Sequence, residues 1–177
     1  RLASILLLLP LAVPAYIAAY AFTDLFQPSG PLRQLAIGDD GVRWWWPRVR
    51  SLPGAMVILA FCLYPYVYLA SRAAFLVLPS SVMDAAKTLG CGPASTIFRV
   101  VLPISAPTIS GGLLLVVMET TADFGAVDYC AVDTFATGVY RAWATLGSPV
   151  AAAQLGSVLL GAMAVAIALL AMLRGRR

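Results

Sequence analysis

The chain has 177 residues, of which 61% are hydrophobic and 11% charged, with a formal net charge of +4 and no histidine. A soluble domain runs at roughly 45–50% apolar and about 25% charged, so this composition excludes an ordinary water-soluble enzyme and a disordered chain alike. Without histidine there is no imidazole catalysis, imidazole metal ligation or histidine pH switch.

No charged residue occurs over 2–23, 51–71, 100–118 or 142–173. A hydrocarbon core about 30 Å thick is crossed by about 20 helical residues, and a water-facing helix would place charge on its outer face every turn or two. These runs predict four transmembrane helices over 2–22, 51–70, 104–122 and 151–173, hence an all-α, polytopic membrane helical bundle. In the first, Pro10 and Pro14 interrupt the apolar run. A cleaved signal peptide is the competing reading for 1–22, but the stretch outruns the usual 7–15-residue apolar region of such a signal. The chain begins at Arg1 rather than methionine, as a piece of something longer would. Trp44, Trp45 and Trp46 precede the second span, where indole rings anchor at headgroup level. Pro65 sits inside that span, where membrane bundles tolerate a kink. Cys62, Cys91 and Cys130 form no CxxC pair, so no disulfide framework or metal site is implied.

Between the second and third spans lies Pro79-Ser80-Ser81-Val82-Met83-Asp84-Ala85-Ala86-Lys87-Thr88-Leu89-Gly90. Ser80 or Ser81 can cap a helix, Asp84 in the first turn and Lys87 near the end suit its dipole, and Gly90 suits its stop. A short helix of about two turns is predicted, with small residues Ala85 and Ala86 open to close docking by another protein. Pro103 and Pro107 then mark the entry to the third span. Near its outer end Glu119 and Asp123, four residues apart, are predicted to share a helix face. An acid at membrane depth marks a pathway or a pair; capping of the span end, or pairing with an arginine, is the simpler account. The fourth span carries small residues at Ala151–Ala153, Gly156, Ser157, Gly161 and Ala162, a surface for close helix packing.

Four spans put both ends and the middle connection on one side. That side carries Arg1, Arg72, Lys87, Arg99, Arg174, Arg176 and Arg177; the other carries Arg33, Arg43, Arg48, Arg50 and Arg141. Seven basic residues against five favour the ends and residues 71–103 as cytoplasmic, and residues 23–50 and 123–150 as external.

Asp84-Ala85-Ala86, three residues, Gly90, nine residues, then Val100-x-Leu102-Pro103 resembles the EAA motif of ABC-importer permeases, written EAA, three residues, Gly, nine residues, I-x-L-P. Asp84 replaces Glu and Val100 replaces Ile. Leu9-Pro10-Leu11-Ala12-Val13-Pro14-Ala15-Tyr16, Leu63-Tyr64-Pro65-Tyr66-Val67-Tyr68, Glu119-Thr120-Thr121-Ala122-Asp123-Phe124-Gly125 and Thr134–Trp143 resemble iron(III) ABC transporter permeases.

This resemblance implies one transmembrane permease domain over 1–177, corresponding to the last four spans of one six-span half, in the bacterial inner membrane. It implies that Asp84, Ala85, Ala86, Leu89, Gly90, Val100, Leu102 and Pro103 belong to the segment coupled to an ATPase. Glu119 and Asp123 become candidates for the substrate pathway, with ferric iron the expected substrate. Thiamine, polyamines, sulfate and phosphonates are carried by related permeases. The implied partners are ATP-binding subunits on the cytoplasmic face, a periplasmic or extracellular solute-binding protein, a second permease half or copy, and membrane lipid, but no nucleic acid. The chain is expected to be no enzyme and to bind no cofactor, with ATP and Mg on the partner ATPase: it has no G-x-x-x-x-G-K-[ST] segment. A secondary transporter or a structural membrane subunit are the readings outside this class, and neither gives the coupling segment a task.

Overall fold

The computed structural model describes residues 2–27, 29–37 and 46–175. Trp44, Trp45, Arg1, Arg43, Arg176 and Arg177 lie outside the described residues, so of the tryptophan triplet only Trp46 can be placed. Every described element is helical: α1 (Leu2–Leu8), a 3₁₀ turn (Leu9–Ala12), α2 (Ala15–Phe26), α3 (Pro31–Ile37), α4 (Leu52–Val77), α5 (Ser80–Thr88), α6 (Pro93–Thr96), a π turn (Ile97–Val101), α7 (Leu102–Ala122), α8 (Gly125–Tyr129), α9 (Phe135–Tyr140), a second π turn (Arg141–Thr145) and α10 (Pro149–Gly175).

Three continuous helical stretches among the described residues, Leu52–Val77, Pro93–Ala122 and Pro149–Met172, are long and apolar enough to cross a membrane. The predicted first span is not continuous. It is a pair of helical segments, Ser4–Ala12 and Ala15–Ala36, meeting at 95°, and it makes a fourth span only if the bent pair is counted as one. The cause is local. Proline disfavours helical geometry in the residue before it, and Val13 is extended at φ −101°, ψ 118°. Pro14 then starts α2 afresh, its carbonyl accepting from the N–H groups of Ile17 and Ala18.

The other spans outrun their predicted lengths. Second-span helix α4 runs 26 residues, past Arg72, and the third begins at Pro93 rather than 104. The connection predicted over 71–103 therefore shrinks to residues 78–92. Charge marks where a chain leaves the hydrocarbon; it does not stop a helix, because arginine is a good helix former.

The packed faces follow helical spacing. In α4 the buried residues are Ala55, Ile58, Leu59, Cys62, Leu63 and Pro65, the three- and four-residue spacing of one face. All but Pro65 meet Ala18 and Ala19 of α2 and Ala126, Val127 and Cys130 of the α8 region in one cluster. Most of these side chains are small. Lipid is as apolar as leucine, so association here rests on close packing.

Helices α4 and α7 run antiparallel. Gly112 of α7 lies against Tyr66, Val67 and Ala70, whereas Val116, a turn later, packs on the cluster built from the earlier half of α4. The π turn over Ile97–Val101 closes with Leu102 N–H donating to the Ile97 carbonyl. It ends two residues before Pro103, which has no N–H for the carbonyl four residues back, and wide turns are where helices absorb such a mismatch.

Short α8 is fixed at both ends. At its C-terminus Ala131 N–H donates to Asp128 and Val132 N–H to Val127, the Schellman pattern, with Ala131 at φ 56°. The Arg50 guanidinium donates to the Tyr129 carbonyl at 3.2 Å and lies over the Tyr129 ring, a cation at a helix C-terminus. Burial raises the Cys130 thiol above its ordinary pKa, Arg50 opposing and Asp123 adding to the rise, so Cys130 remains an unreactive thiol at neutral pH.

The small residues of α10 find little of this chain to pack on. Ala152 is buried, but nothing lies within 4 Å of where a Cβ would stand on Gly156 or Gly161.

Candidate functional site

Helix α5 stands on the connection between α4 and the α6–α7 stretch. Its cap differs from the expected serine. Pro79 is the N-cap, its carbonyl accepting from Val82 N–H at 3.1 Å, and Ser80 and Ser81 are the first helical residues. Asp84 consequently lies in the second turn, beyond the orphan N–H groups of the first. It pairs with Lys87 at 3.4 Å across a well-exposed surface, an arrangement worth at most about 1 kcal/mol.

The C-terminal stop is as expected. Gly90 adopts φ 79°. Its N–H donates to Lys87, and Cys91 N–H donates to Ala86, which together make a Schellman stop. A β-carbon at Gly90 would meet nothing within 4 Å, so the requirement for glycine is conformational rather than steric.

The two alanines are not equivalent. Ala86 is only 4% exposed, packed within this chain, whereas Met83 is 44% and Leu89 82% exposed, and Ala85 is open beside them. Consecutive helical residues point about 100° apart, so the expectation that both alanines face outward fails for Ala86. Val100 and Leu102 flank buried Val101, and Pro103 is the second residue of α7. These three belong to the entry of the long helix, not to the open face of α5.

Glu119 and Asp123 do not share a helix face. Glu119 is exposed one turn from the end of α7. Asp123 has left the helix at φ −66°, ψ 125°, and its Oδ2 accepts from Ala126 N–H at 3.0 Å and Val127 N–H at 3.1 Å. Asp123 therefore caps α8. The sequence signal was available: an acid followed by Phe124-Gly125 at the end of an apolar run is as good a cap as a ligand. Among the described residues no group of three or more Cys, Asp or Glu side chains could hold a metal ion.

The cap is testable. Asp123→Ala removes an acceptor from two N–H groups and is expected to cost about 1–2 kcal/mol, seen as a lower melting temperature in detergent. Asp123→Asn keeps one oxygen and should retain most of that stability. Equal stability of both variants with the wild type would rule out the capping role.

Sequence reasoning also missed the capping box of α9, in which Thr134 and Thr137 bond each other's backbone N–H. The Thr-x-x-Thr spacing before Val139 was its signal, weak because threonine is less usual than glutamate at the fourth position.

Residues 1–175 match the family described as binding-protein-dependent transport system inner membrane component. The chain is 24% identical over 152 residues to the Fe(3+)-transport system permease protein FbpB 2 of Haemophilus influenzae, covering 86% of this chain and 26% of that one. It is 31% identical over 124 residues to the sulfate transport system permease protein CysT of Salmonella typhimurium, covering 70% of this chain and 43% of that one. It is 34% identical over 118 residues to the sn-glycerol-3-phosphate transport system permease protein UgpA of Yersinia pseudotuberculosis, covering 66% and 40%. The chain thus spans less than half the length of each of these relatives.

Proposed function

Because this chain belongs to the family of binding-protein-dependent transport system inner membrane components, a multi-pass inner membrane protein, we propose that it forms part of the wall of an ATP-driven importer and that its substrate is ferric iron. In this reading it corresponds to the last four spans of a six-span half, facing a second half or copy. A solute-binding protein delivers substrate on the external face. Two ATPase subunits dock on the cytoplasmic face and hold the ATP and Mg.

The observation that carries the reading is the placing of α5. It lies at one end of the antiparallel α4–α7 pair and presents Met83, Ala85 and Leu89 outward. Closure of the ATPase dimer would move α5, and the α4–α7 pair with it, in a rigid-body switch between two packings. Asp84 sits at the edge of the docking face, Gly90 sets the exit of the loop, and Val100, Leu102 and Pro103 join it to the long helix. Of the two acids, Glu119 is exposed while Asp123 gives its Oδ2 to α8, so Glu119 is the stronger pathway candidate. An oxygen donor suits a hard cation such as Fe(III).

Iron rests on the 152-residue match to the Fe(3+)-transport permease of Haemophilus influenzae. The sulfate and glycerol-phosphate relatives have higher identity over shorter stretches, so a small anion is the second reading. Deletion of the gene should abolish uptake of radiolabelled ferric iron while uptake of thiamine, polyamines, sulfate and phosphonates persists. Loss of one of the others with iron uptake intact would transfer the assignment. No change in any would remove ferric iron and these four solutes as substrates and turn the test to sn-glycerol 3-phosphate.

A further inference from the structure

Two cavities share a wall beside the start of α4. The first, about 470 Å³, is apolar, with Phe22 and Phe26 of α2 facing Pro53, Val57 and Ile58 of α4. The second, about 360 Å³, shares Phe26, Pro47, Arg48 and Val49 with the first and adds Thr23, Arg33 and Arg50. Arg33 and Thr23 are each only 8% exposed, and the buried Thr23 hydroxyl has no hydrogen-bond partner. Arg50 spends its Nε on the Tyr129 carbonyl, but a guanidinium has five N–H donors.

The apolar cavity runs along the start of α4. Val57 and Ile58 lie in the second turn of α4, already inside the apolar run. Trp46, which lines the basic cavity, donates its indole N–H to the Phe26 carbonyl at 2.7 Å, as rings at headgroup level do. Guanidinium groups match phosphate oxygens in a planar fork. An inorganic anion would occupy only the basic half and an apolar solute only the other. A molecule with a phosphate at one end and an alkyl chain at the other fills both.

We propose that the joined cavities bind an anionic phospholipid, its phosphate against Arg48, Arg50 and the Thr23 hydroxyl and one acyl chain against Phe22, Phe26 and Val57. The site is independent of which solute is imported, and it accounts for arginines collected on the side that the charge bias makes external.

The full-length protein, reconstituted in nanodiscs of phosphatidylcholine with a minor fraction of phosphatidylglycerol and re-extracted, should retain phosphatidylglycerol selectively by mass spectrometry. Arg48→Gln removes an exposed guanidinium and should weaken that retention roughly tenfold, the scale of one charge-assisted hydrogen bond. Val57→Trp fills the apolar half and should abolish retention while leaving Arg48 in place, so the test survives if either variant fails to fold. Inorganic phosphate at millimolar concentration should not displace the lipid. Equal retention of the two lipids, unchanged retention in both folded variants, or full displacement by phosphate would each overturn the proposal, the last in favour of a free anion.

Discussion

Gly112→Leu is expected to prevent the protein from accumulating in the membrane. A β-carbon at Gly112 would stand 2.7 Å from the Ala70 Cβ, 3.1 Å from the Tyr66 carbonyl oxygen and 3.3 Å from the Val67 Cα. None of these atoms ends a flexible side chain, so relief requires α4 and α7 to part. Alanine gains about 1 kcal/mol over glycine in a helix interior, but overpacking costs about 1–3 kcal/mol. Gly112→Ala should therefore be modestly destabilised, while leucine, with three further carbons, should be lost to degradation. Ala70→Gly removes the nearest atom, so the pair Gly112→Ala with Ala70→Gly should recover most of the loss, a coupling that a double-mutant cycle measures. Additive effects in that cycle, or wild-type abundance of Gly112→Leu, would show that the helices do not meet there.

Leu89→Asp and Ala85→Trp should each reduce transport at least tenfold without changing abundance. Both side chains are open, Leu89 at 82%, so neither substitution disturbs packing within the chain. If α5 docks on an ATPase as proposed, a carboxylate or an indole in place of the apolar knob and the small residue leaves an unpaired charge or a steric gap at the contact, each enough to lose about 2 kcal/mol or more of association, roughly thirtyfold. Ala86→Trp is the contrast. Ala86 is buried in its own chain, so that variant should lose protease resistance in the loop before any docking is tested. A thiol at Ser81 gives the sidedness: Ser81→Cys should react with a permeant maleimide and not with an impermeant one in intact cells. Normal transport and normal ATPase co-purification by Leu89→Asp and Ala85→Trp would remove α5 from the coupling role.

The sequence was most informative where one physical effect dominates. Charge-free length located the three long helices, because only the bilayer demands such runs. Gly90 announced a stop because the left-handed backbone there disfavours a side chain. Reading failed where two effects compete locally. At Pro10 and Pro14 the apolar run indicates a span, while proline stereochemistry breaks it at Val13. At Ser80 and Ser81 side-chain capping competed with Pro79, whose fixed φ took the cap position. At Asp123 the four-residue spacing from Glu119 implied a shared face only if the helix continued, and the residue that ends a helix looks, in a sequence, like one that extends it. The arginines at 33, 48 and 50 could be counted from the sequence, but their convergence on one cavity depends on the bend that carries α2 and α3 back over the start of α4.

The crossing at Gly112 has a mechanical consequence. With 26 residues in α4 the rod is about 39 Å long. The loop carrying α5 is attached at one end, and the buried cluster of Ala55, Ile58, Leu59 and Cys62 lies toward the other. The glycine contact lies between them and locks α4 to α7, so the two bend as one beam rather than sliding as two. The contact with Tyr66, Val67 and Ala70 stands off centre, about 24 Å from the start of α4 and about 14 Å from its loop end, so a rotation of the beam by about 5° at that level moves the far tip by roughly 2.1 Å and the loop end by roughly 1.2 Å, in opposite directions. A displacement of the loop end would therefore arrive at the far tip reversed and enlarged. Softening the pivot, as Ala70→Gly alone would, should cost stroke before it costs folding.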